Sequence, residues 1–166
     1  MLAVVIHAER ILDGRGKEVR NAAVVVEGSK IVRIDPHPAH IDIDLGGRTL
    51  MPGAIDTHVH IGWHFDKNGR SNDDGSGETP EEYAGFAMED GTATLMGGVT
   101  TVQSLGAPID KVVREFAERN NMPLPRVLTA VEPIYNSKLT PDEIRAAVDK
   151  AKDDGADMIK IFASQS

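Results

Sequence analysis

From Gly53 onward, short apolar runs alternate with amphipathic segments, and this pattern most narrows the folds open to the chain. Strands are predicted over 54–61, 99–104, 126–131 and 157–163, and helices over 80–97, 108–119 and 141–152. Strands that alternate with helices form parallel sheets. The pattern fits an open doubly wound sheet or part of a (β/α)8 barrel. A complete barrel needs about 250 residues, so four strands would make its first half.

The first and third predicted helices carry local start signals. Thr79-Pro80-Glu81-Glu82 and Thr140-Pro141-Asp142-Glu143 each place a capping threonine three residues before a glutamate, with proline at the first helical position. The helix over 108–119 is predicted to bury one face formed by Val112, Val113, Phe116 and Ala117.

Residues 1–50 follow a different pattern, typical of a small all-β unit. The runs AAVVVE and KIVRI flank Gly28-Ser29, which is a two-residue hairpin signal. Further turns are predicted at Asp13-Gly14 and Gly46-Gly47. The expected domains are a β-sandwich-like unit over 1–50 and a half-barrel over 51–166.

Composition excludes several classes of protein. Without cysteine, the chain has no disulfide and no thiolate ligand, so any metal must be held by nitrogen and oxygen. A net charge of −8 argues against binding nucleic acid or an anionic membrane surface. No segment approaches the roughly 18 apolar residues of a membrane span, and the start does not resemble a signal peptide. The cytoplasm is the expected compartment, although a leader removed before this numbering stays open.

Three of the six histidines lie in the stretch MPGAIDTHVHIGWHF, residues 51–65. His58 and His60 are two residues apart on a predicted strand, so both project from the same face. They lie at its carboxyl end, where parallel α/β folds build their active sites. Two imidazoles there form half of a zinc-type site, and Asp56 could support one of them. The alternative is a pair of structural histidines at a strand end.

Lys160 lies within the apolar run DMIKIFA. A charged lysine on a central parallel strand would cost several kcal/mol unless it is paired, neutralised or modified. Burial lowers the pKa of a lysine, and a neutral amine reacts with CO2 to give a carbamate that can bridge two metals. The alternative is an amine that reaches solvent at the strand end.

Residues 50–60, LMPGAIDTHVH, closely resemble the signature of the metal-dependent amidohydrolase superfamily. The hairpin AAVVVEGSKIVRI and the lead-in IDLGGRTLMPG are also similar to what precedes the barrel in that family, and the nearer likeness is to its imidazolonepropionase-like and dipeptidase-like branch. The resemblance implies an α/β fold with a β-rich unit before a (β/α)8 barrel. It also implies His58, His60 and a carboxylated Lys160 as ligands of two divalent metals, with zinc expected.

The resemblance further implies two later histidines and a late catalytic aspartate, which this chain does not supply in matching positions. No catalytic residue is therefore assigned, and residues 1–166 alone are expected to be inactive. The function expected of the complete protein is metal-dependent hydrolysis of an amide, cyclic amide or dipeptide-like C–N bond in a small-molecule substrate. The expected partner is a missing C-terminal half or a second chain, and the complete protein is expected to form a homo-oligomer.

Candidate substrate-binding residues follow the first two strands of the half-barrel. His64 and Arg70, with Asp66 between them, lie in the polar loop over 62–79, and Gln103 and Ser104 end the second strand. The rival hypothesis is a non-catalytic half-barrel module that assembles with a partner chain. An open-sheet nucleotide-binding protein is a weaker alternative, because the chain has neither G-x-G-x-x-G nor G-x-x-x-x-G-K-[ST].

Overall fold

The computed structural model describes residues 3–65, 68–72 and 77–162, which fall into two compact units, 1–52 and 53–166. The first unit contains strands only: β1 (Ala3–Leu12), β2 (Glu18–Glu27), β3 (Lys30–Asp35), β4 (Ile43–Asp44) and β5 (Thr49–Leu50). The second contains β6 (Ala54–Val59), α1 (Pro80–Met96), β7 (Val99–Ser104), α2 (Ile109–Asn120), β8 (Arg126–Thr129) and α3 (Pro141–Asp153). Within the described ranges, no helix is long and apolar enough to cross a membrane.

The first unit is one five-stranded sheet in the order β3-β2-β1-β4, with β5 also pairing with β1. The predicted hairpin is confirmed, since Glu27 pairs with Lys30 across Gly28, whose φ is +60°. Apolar side chains alternate between two clusters, one around Ala8 and Ile11 and the other around Val5 and Val25. The predicted sandwich-like arrangement is therefore corrected to a single sheet in the described part of this unit.

The second unit holds a parallel sheet in the order β6-β7-β8, as the alternation of strands and helices predicts. Its core contains Ile61, Val102 and Val127. Both predicted capping boxes are present: Thr79 accepts from the backbone N–H of Glu82, and Thr140 accepts from that of Glu143. These helices begin where predicted because their caps depend only on adjacent residues.

The predicted apolar face of α2 is only partly buried. Val113 and Ala117 are buried, whereas Val112 and Phe116 are each about half exposed. The helix packs against α1 and β8 through its narrower stripe. The described chain therefore supplies cover for only half of the apolar surface that this helix presents.

The predicted fourth strand over 157–163 is not formed in its described part, 157–162. Only an isolated parallel bridge joins Ile161 to Ile134, and Ala163 lies outside the described residues. The physical reason is that the side chain of Asp157, and not a backbone carbonyl, accepts the hydrogen bond from the backbone N–H of Thr129 at 3.0 Å, so the ladder from β8 is not continued. Further along, the backbone of Lys160 and Phe162 pairs with Ile134 instead of extending the sheet.

Candidate functional site

His58 and His60 lie at the carboxyl end of β6, the first strand of the parallel sheet. Their ring centroids are 5.7 Å apart and their planes are inclined by 52°. The two rings are therefore neighbours, and imidazole nitrogens are common ligands of zinc. His58 is exposed and His60 is partly buried. The carboxylate of Asp56 accepts a hydrogen bond from the backbone N–H of His58 at 3.0 Å, so Asp56 fixes the strand end.

The imidazole of His60 is held on one side by Trp63. The two rings stack with centroids 4.0 Å apart and an angle of 14°, and the backbone N–H of Trp63 donates to the carbonyl of His60 at 2.9 Å. Burial lowers the pKa of His60, and the nearby positive charges of His58 and Lys160 lower it further. This environment favours the neutral imidazole, which is the form that binds a metal.

Lys160 is partly buried, although it is not on a strand as the sequence predicts. Its ammonium nitrogen lies 4.8 Å from the centroid of the Phe162 ring, a cation–π distance. Its charge acts on His60, so Lys160 and the histidine pair belong to the same electrostatic environment. The two histidine rings are neighbours, and Lys160 is near enough for its charge to act on His60.

The donor set fits the beginning of a metal site. In residues 3–65, 68–72 and 77–162, no three histidine, cysteine, aspartate or glutamate side chains are arranged to hold a metal. The two imidazoles supply nitrogen donors, and a lysine adds an oxygen donor only after carboxylation. The chemistry of the donors therefore suits a divalent metal, with His58 and His60 as two neighbouring nitrogen donors.

The ring of His64 is engaged by other groups of the protein, so it is not placed as a free metal ligand. Its side chain is 7% exposed, and its ring stacks on Phe86 at 3.9 Å. Nδ1 lies 2.9 Å from the carbonyl of Gly62 and Nε2 lies 2.8 Å from the carboxylate of Glu78. When that carboxylate is ionised, both nitrogens donate and the ring is charged. Burial lowers the pKa of His64, but these two acceptors raise it more, so the net shift is upward.

The other predicted substrate-binding residues are dispersed. Arg70 is exposed in a loop where Phe65 and Ser71 form an antiparallel bridge. Gln103 is partly buried on β7, opposite Leu128 in the register with β8. Asp66 lies outside the described residues.

Sequence reasoning missed a buried polar cluster beneath the carboxyl ends of the strands. Asp110, Ser104 and Thr129 are each no more than 1% exposed. The Thr129 hydroxyl donates to Asp110 at 3.4 Å, and the side chain of Ser104 also bonds to Asp110. Burial raises the pKa of Asp110 even though these hydrogen bonds act in the opposite direction. The sequence feature that indicates this cluster is a carboxylate in the first turn of α2 together with hydroxyl residues at the ends of two strands.

Comparison with known families gives a match over most of the chain. The model of the amidohydrolase family matches residues 49–165. An adenine deaminase from Desulfatibacillum aliphaticivorans is 34% identical over 79 residues, which is 48% of this chain and 12% of that protein. An imidazolonepropionase from Arthrobacter sp. (strain FB24) is 43% identical over 53 residues, covering 30% of this chain and 13% of that protein.

Solved structures share the fold at lower sequence identity. A Xaa-Pro dipeptidase with bound methionine in its active site has a TM-score of 0.78 and 24% identity, and the match covers 96% of this chain. The ochratoxinase of A. niger has a TM-score of 0.76 and 19% identity, and the match covers 99% of this chain. In each case the match covers 47% of the solved chain, so this chain spans about half the length of those proteins.

Proposed function

The chain belongs to the amidohydrolase family, and we propose that its protein hydrolyses a C–N bond of a small molecule with a metal-activated water. The substrate is an amide, a cyclic amide or a dipeptide-like compound. The observation that carries this proposal is the pair of imidazoles at the carboxyl end of β6, with ring centroids 5.7 Å apart. The positive charge of Lys160 acts on one of them, which supports a shared site.

The proposed ligands are His58, His60 and a carboxylated Lys160, and zinc is the first expected metal. Bound divalent ions would lower the pKa of a water molecule and polarise the scissile carbonyl. His58 and His60 would each provide a neutral nitrogen, and the stacked Trp63 would keep the second ring in place. Arg70 and Gln103 remain proposed contacts for the substrate.

Carboxylation of Lys160 requires its neutral amine. The neutral amine nitrogen forms a bond to the carbon of CO2, one C–O π bond becomes the carboxylate, and one N–H proton is released, so a neutral amine becomes an anionic carbamate. The nitrogen of Lys160 lies 4.8 Å from the centroid of the Phe162 ring. A bound divalent metal would stabilise the anionic carbamate.

His64 has a proposed role different from the substrate contact that its sequence position suggests. Its two ring nitrogens are engaged by Gly62 and Glu78, and its ring is covered by Phe86. We assign it to anchoring the loop after β6 onto α1. That anchor would support Trp63, the preceding residue in the chain, and through it His60.

The test is a hydrolase assay with amides, N-acyl amino acids and dipeptides, with and without zinc and bicarbonate. The complete gene product is expected to show metal-dependent turnover, and a polypeptide limited to residues 1–166 is expected to show none. The expectation for 1–166 follows from the donor count, because its described residues group too few ligands for two ions. Turnover by 1–166 alone would contradict that requirement. Metal-independent turnover, or none by the complete product, would contradict the function itself.

A second candidate is a half-barrel module whose role is assembly with a partner chain. The observation that favours it is β6, which pairs with β7 on one side and has exposed residues from Ala54 to His58. An unpaired strand edge promotes association with another strand. Native mass spectrometry distinguishes the two roles. A hetero-complex or homo-oligomer without metal or turnover supports the module, and a metal-loaded active enzyme supports hydrolysis.

A further inference from the structure

We infer that Asp110 is a positioning residue that fixes His60 relative to the segment carrying Lys160, through hydrogen bonds to Ser104 and Thr129. The importance of that geometry for a metal rests on the function proposed above. The hydrogen-bonded arrangement itself is a property of these residues and can be tested without any metal.

Asp110 accepts hydrogen bonds from several directions at the start of α2. The hydroxyls of Ser104 and Thr129 bond to its side chain, and so do the backbone N–H groups of Gly106 and Ala107. These four partners are donors, so a carboxylate with two accepting oxygens suits the position. The three polar side chains are almost fully buried, and a lost partner would leave an unsatisfied group out of reach of water.

One arm of the network reaches His60. The hydroxyl of Ser104 accepts a hydrogen bond from the backbone N–H of Ile61 at 3.1 Å while it bonds to Asp110. That N–H belongs to the peptide joining His60 to Ile61, whose carbonyl accepts from Trp63 at 2.9 Å. Both polar groups of this peptide are therefore held. The direction in which the His60 ring leaves the backbone follows from the orientation of this peptide.

The other arm reaches the segment that carries Lys160. The backbone N–H of Thr129 donates to the carboxylate of Asp157 at 3.0 Å, and the N–H of Asp157 donates to the carbonyl of Thr129 at 2.8 Å. Arg114 also donates to the same carboxylate at 2.6 Å. Asp157 lies three residues before Lys160 and so fixes where its segment begins. Through the hydroxyl of Thr129, this reciprocal pair connects to Asp110.

On both sides of the network, each hydrogen bond is donated toward Asp110. Backbone N–H groups of Ile61 and Val131 donate to the hydroxyls of Ser104 and Thr129, at 3.1 and 2.9 Å, and each hydroxyl donates onward to Asp110. An amide side chain offers one accepting oxygen and directs an NH2 group at a donor. Asp110→Asn therefore preserves the shape of the side chain but places an NH2 donor where a carboxylate oxygen accepts a hydrogen bond.

The experiment compares the purified protein with Asp110→Asn, Thr129→Val and Thr129→Ser. Thr129→Val keeps the shape without the hydroxyl, and Thr129→Ser restores the hydroxyl. Val113→Ala serves as the matched control, because it removes buried volume from α2 one turn away without touching the network. Two readouts are used: hydrogen exchange at the Ile61 amide by NMR without metal, and affinity for Co²⁺ from its absorption spectrum.

Asp110→Asn and Thr129→Val are expected to weaken Co²⁺ binding by about 10- to 100-fold, the usual effect of removing a residue that orients ligands. Thr129→Ser and Val113→Ala should bind as the parent does. The Ile61 amide should exchange faster in Asp110→Asn than in Val113→Ala. Equal affinity in Asp110→Asn and the parent would overturn the inference, and so would unchanged exchange.

Failure of the proposed function gives a different result. If the parent protein binds no Co²⁺, the metal site is wrong, and the Ile61 exchange alone decides whether Asp110 positions His60. If Asp110→Asn does not fold, the pair Thr129→Val and Thr129→Ser decides it, because these two variants differ at the same position in the hydroxyl. Equal exchange in that pair would then reject the inference.

Discussion

The central strand of the first sheet and the first strand of the second sheet show opposite degrees of cover. β2 pairs with both β1 and β3, and its run Ala22–Val25 is buried. β6 pairs with β7 on one side, and Ala54–His58 are exposed, with Ile55 at 65%. Each strand carries β-branched apolar side chains, Val24 and Val25 in β2 and Ile55 and Val59 in β6. The difference shows that the described chain covers the first sheet much better than the site-bearing strand.

This contrast bears directly on the chemistry of the site. His58 lies on the exposed strand and His60 directly follows it, whereas Asp110 is 1% exposed. The hydrogen-bonded cluster around Asp110 is thus buried, while His58 faces solvent and His60 is only partly buried. In the proposed enzyme, further protein would cover β6 and supply more ligands. Electrostatic interactions at the site would strengthen once water is excluded.

The largest expected effect is a difference in the free energy of unfolding between matched substitutions in the two sheets. Ile11, 2% exposed in the first sheet, and Ile55, 65% exposed on β6, are the same residue type in opposite surroundings. Ile11→Ala is expected to cost about 2–5 kcal/mol, because it leaves a cavity. Ile55→Ala should change stability by less than about 0.5 kcal/mol. Urea unfolding of residues 1–166 measures both.

The same isoleucine pair can sharpen the comparison in the complete gene product. There, Ile55→Ala should become as costly as a buried substitution if further protein covers β6. An equally small effect in both forms would show that β6 is a solvent-exposed strand in the working protein. That result would favour the assembly module only if Ile55→Ala destabilised the protein once the partner chain was bound.

A smaller effect is expected where stability is local. Thr140 caps α3, accepting from the backbone of Glu143, whose side chain bonds back to Thr140. Thr140→Ala should cost about 1 kcal/mol, and Thr140→Ser should cost much less because it keeps the accepting oxygen. Circular dichroism during urea unfolding reports the difference. A negligible loss in the alanine variant would mean that tertiary contacts alone hold α3.

The capping boxes also show what could be predicted from the sequence. They were predicted correctly because Thr79 and Glu82, or Thr140 and Glu143, meet within one turn of helix. The fourth strand is not formed over 157–162, where the Asp157 side chain accepts a hydrogen bond from the backbone of Thr129. These two residues are 28 apart in the sequence, so no local pattern signals the contact.

The candidate site residues also differ in whether their interactions are local or join distant parts of the sequence. The pairing of His58 with His60 followed from the two-residue repeat of a strand and needed no knowledge of the tertiary fold. The role of His64 is harder to predict from the sequence, because its partner Glu78 is 14 residues away across the loop. Asp110 was missed entirely, since its role depends on hydroxyls brought together by two other strands.

The smallest expected effect is a pH dependence of stability. The pKa of His64 is raised above its ordinary value of 6.5, so its stabilising contribution is complete below that pH. It is lost as the pH rises through the elevated pKa, since the folded state then releases the proton that it binds more tightly. His64→Gln should remove this part of the pH profile. The same pH dependence in the variant would show that another group is responsible.

The most direct test of the central claim is the zinc content of the purified complete protein after equilibration with zinc and bicarbonate. The account predicts stoichiometric zinc in the parent and its loss in His58→Asn and His60→Asn, because these rings supply the grouped nitrogen donors. Lys160→Met should also lose zinc, and ¹³C-labelled bicarbonate should give a carbamate signal in the parent that this variant lacks. An unmetallated parent, or equal zinc in the histidine variants, would contradict the account.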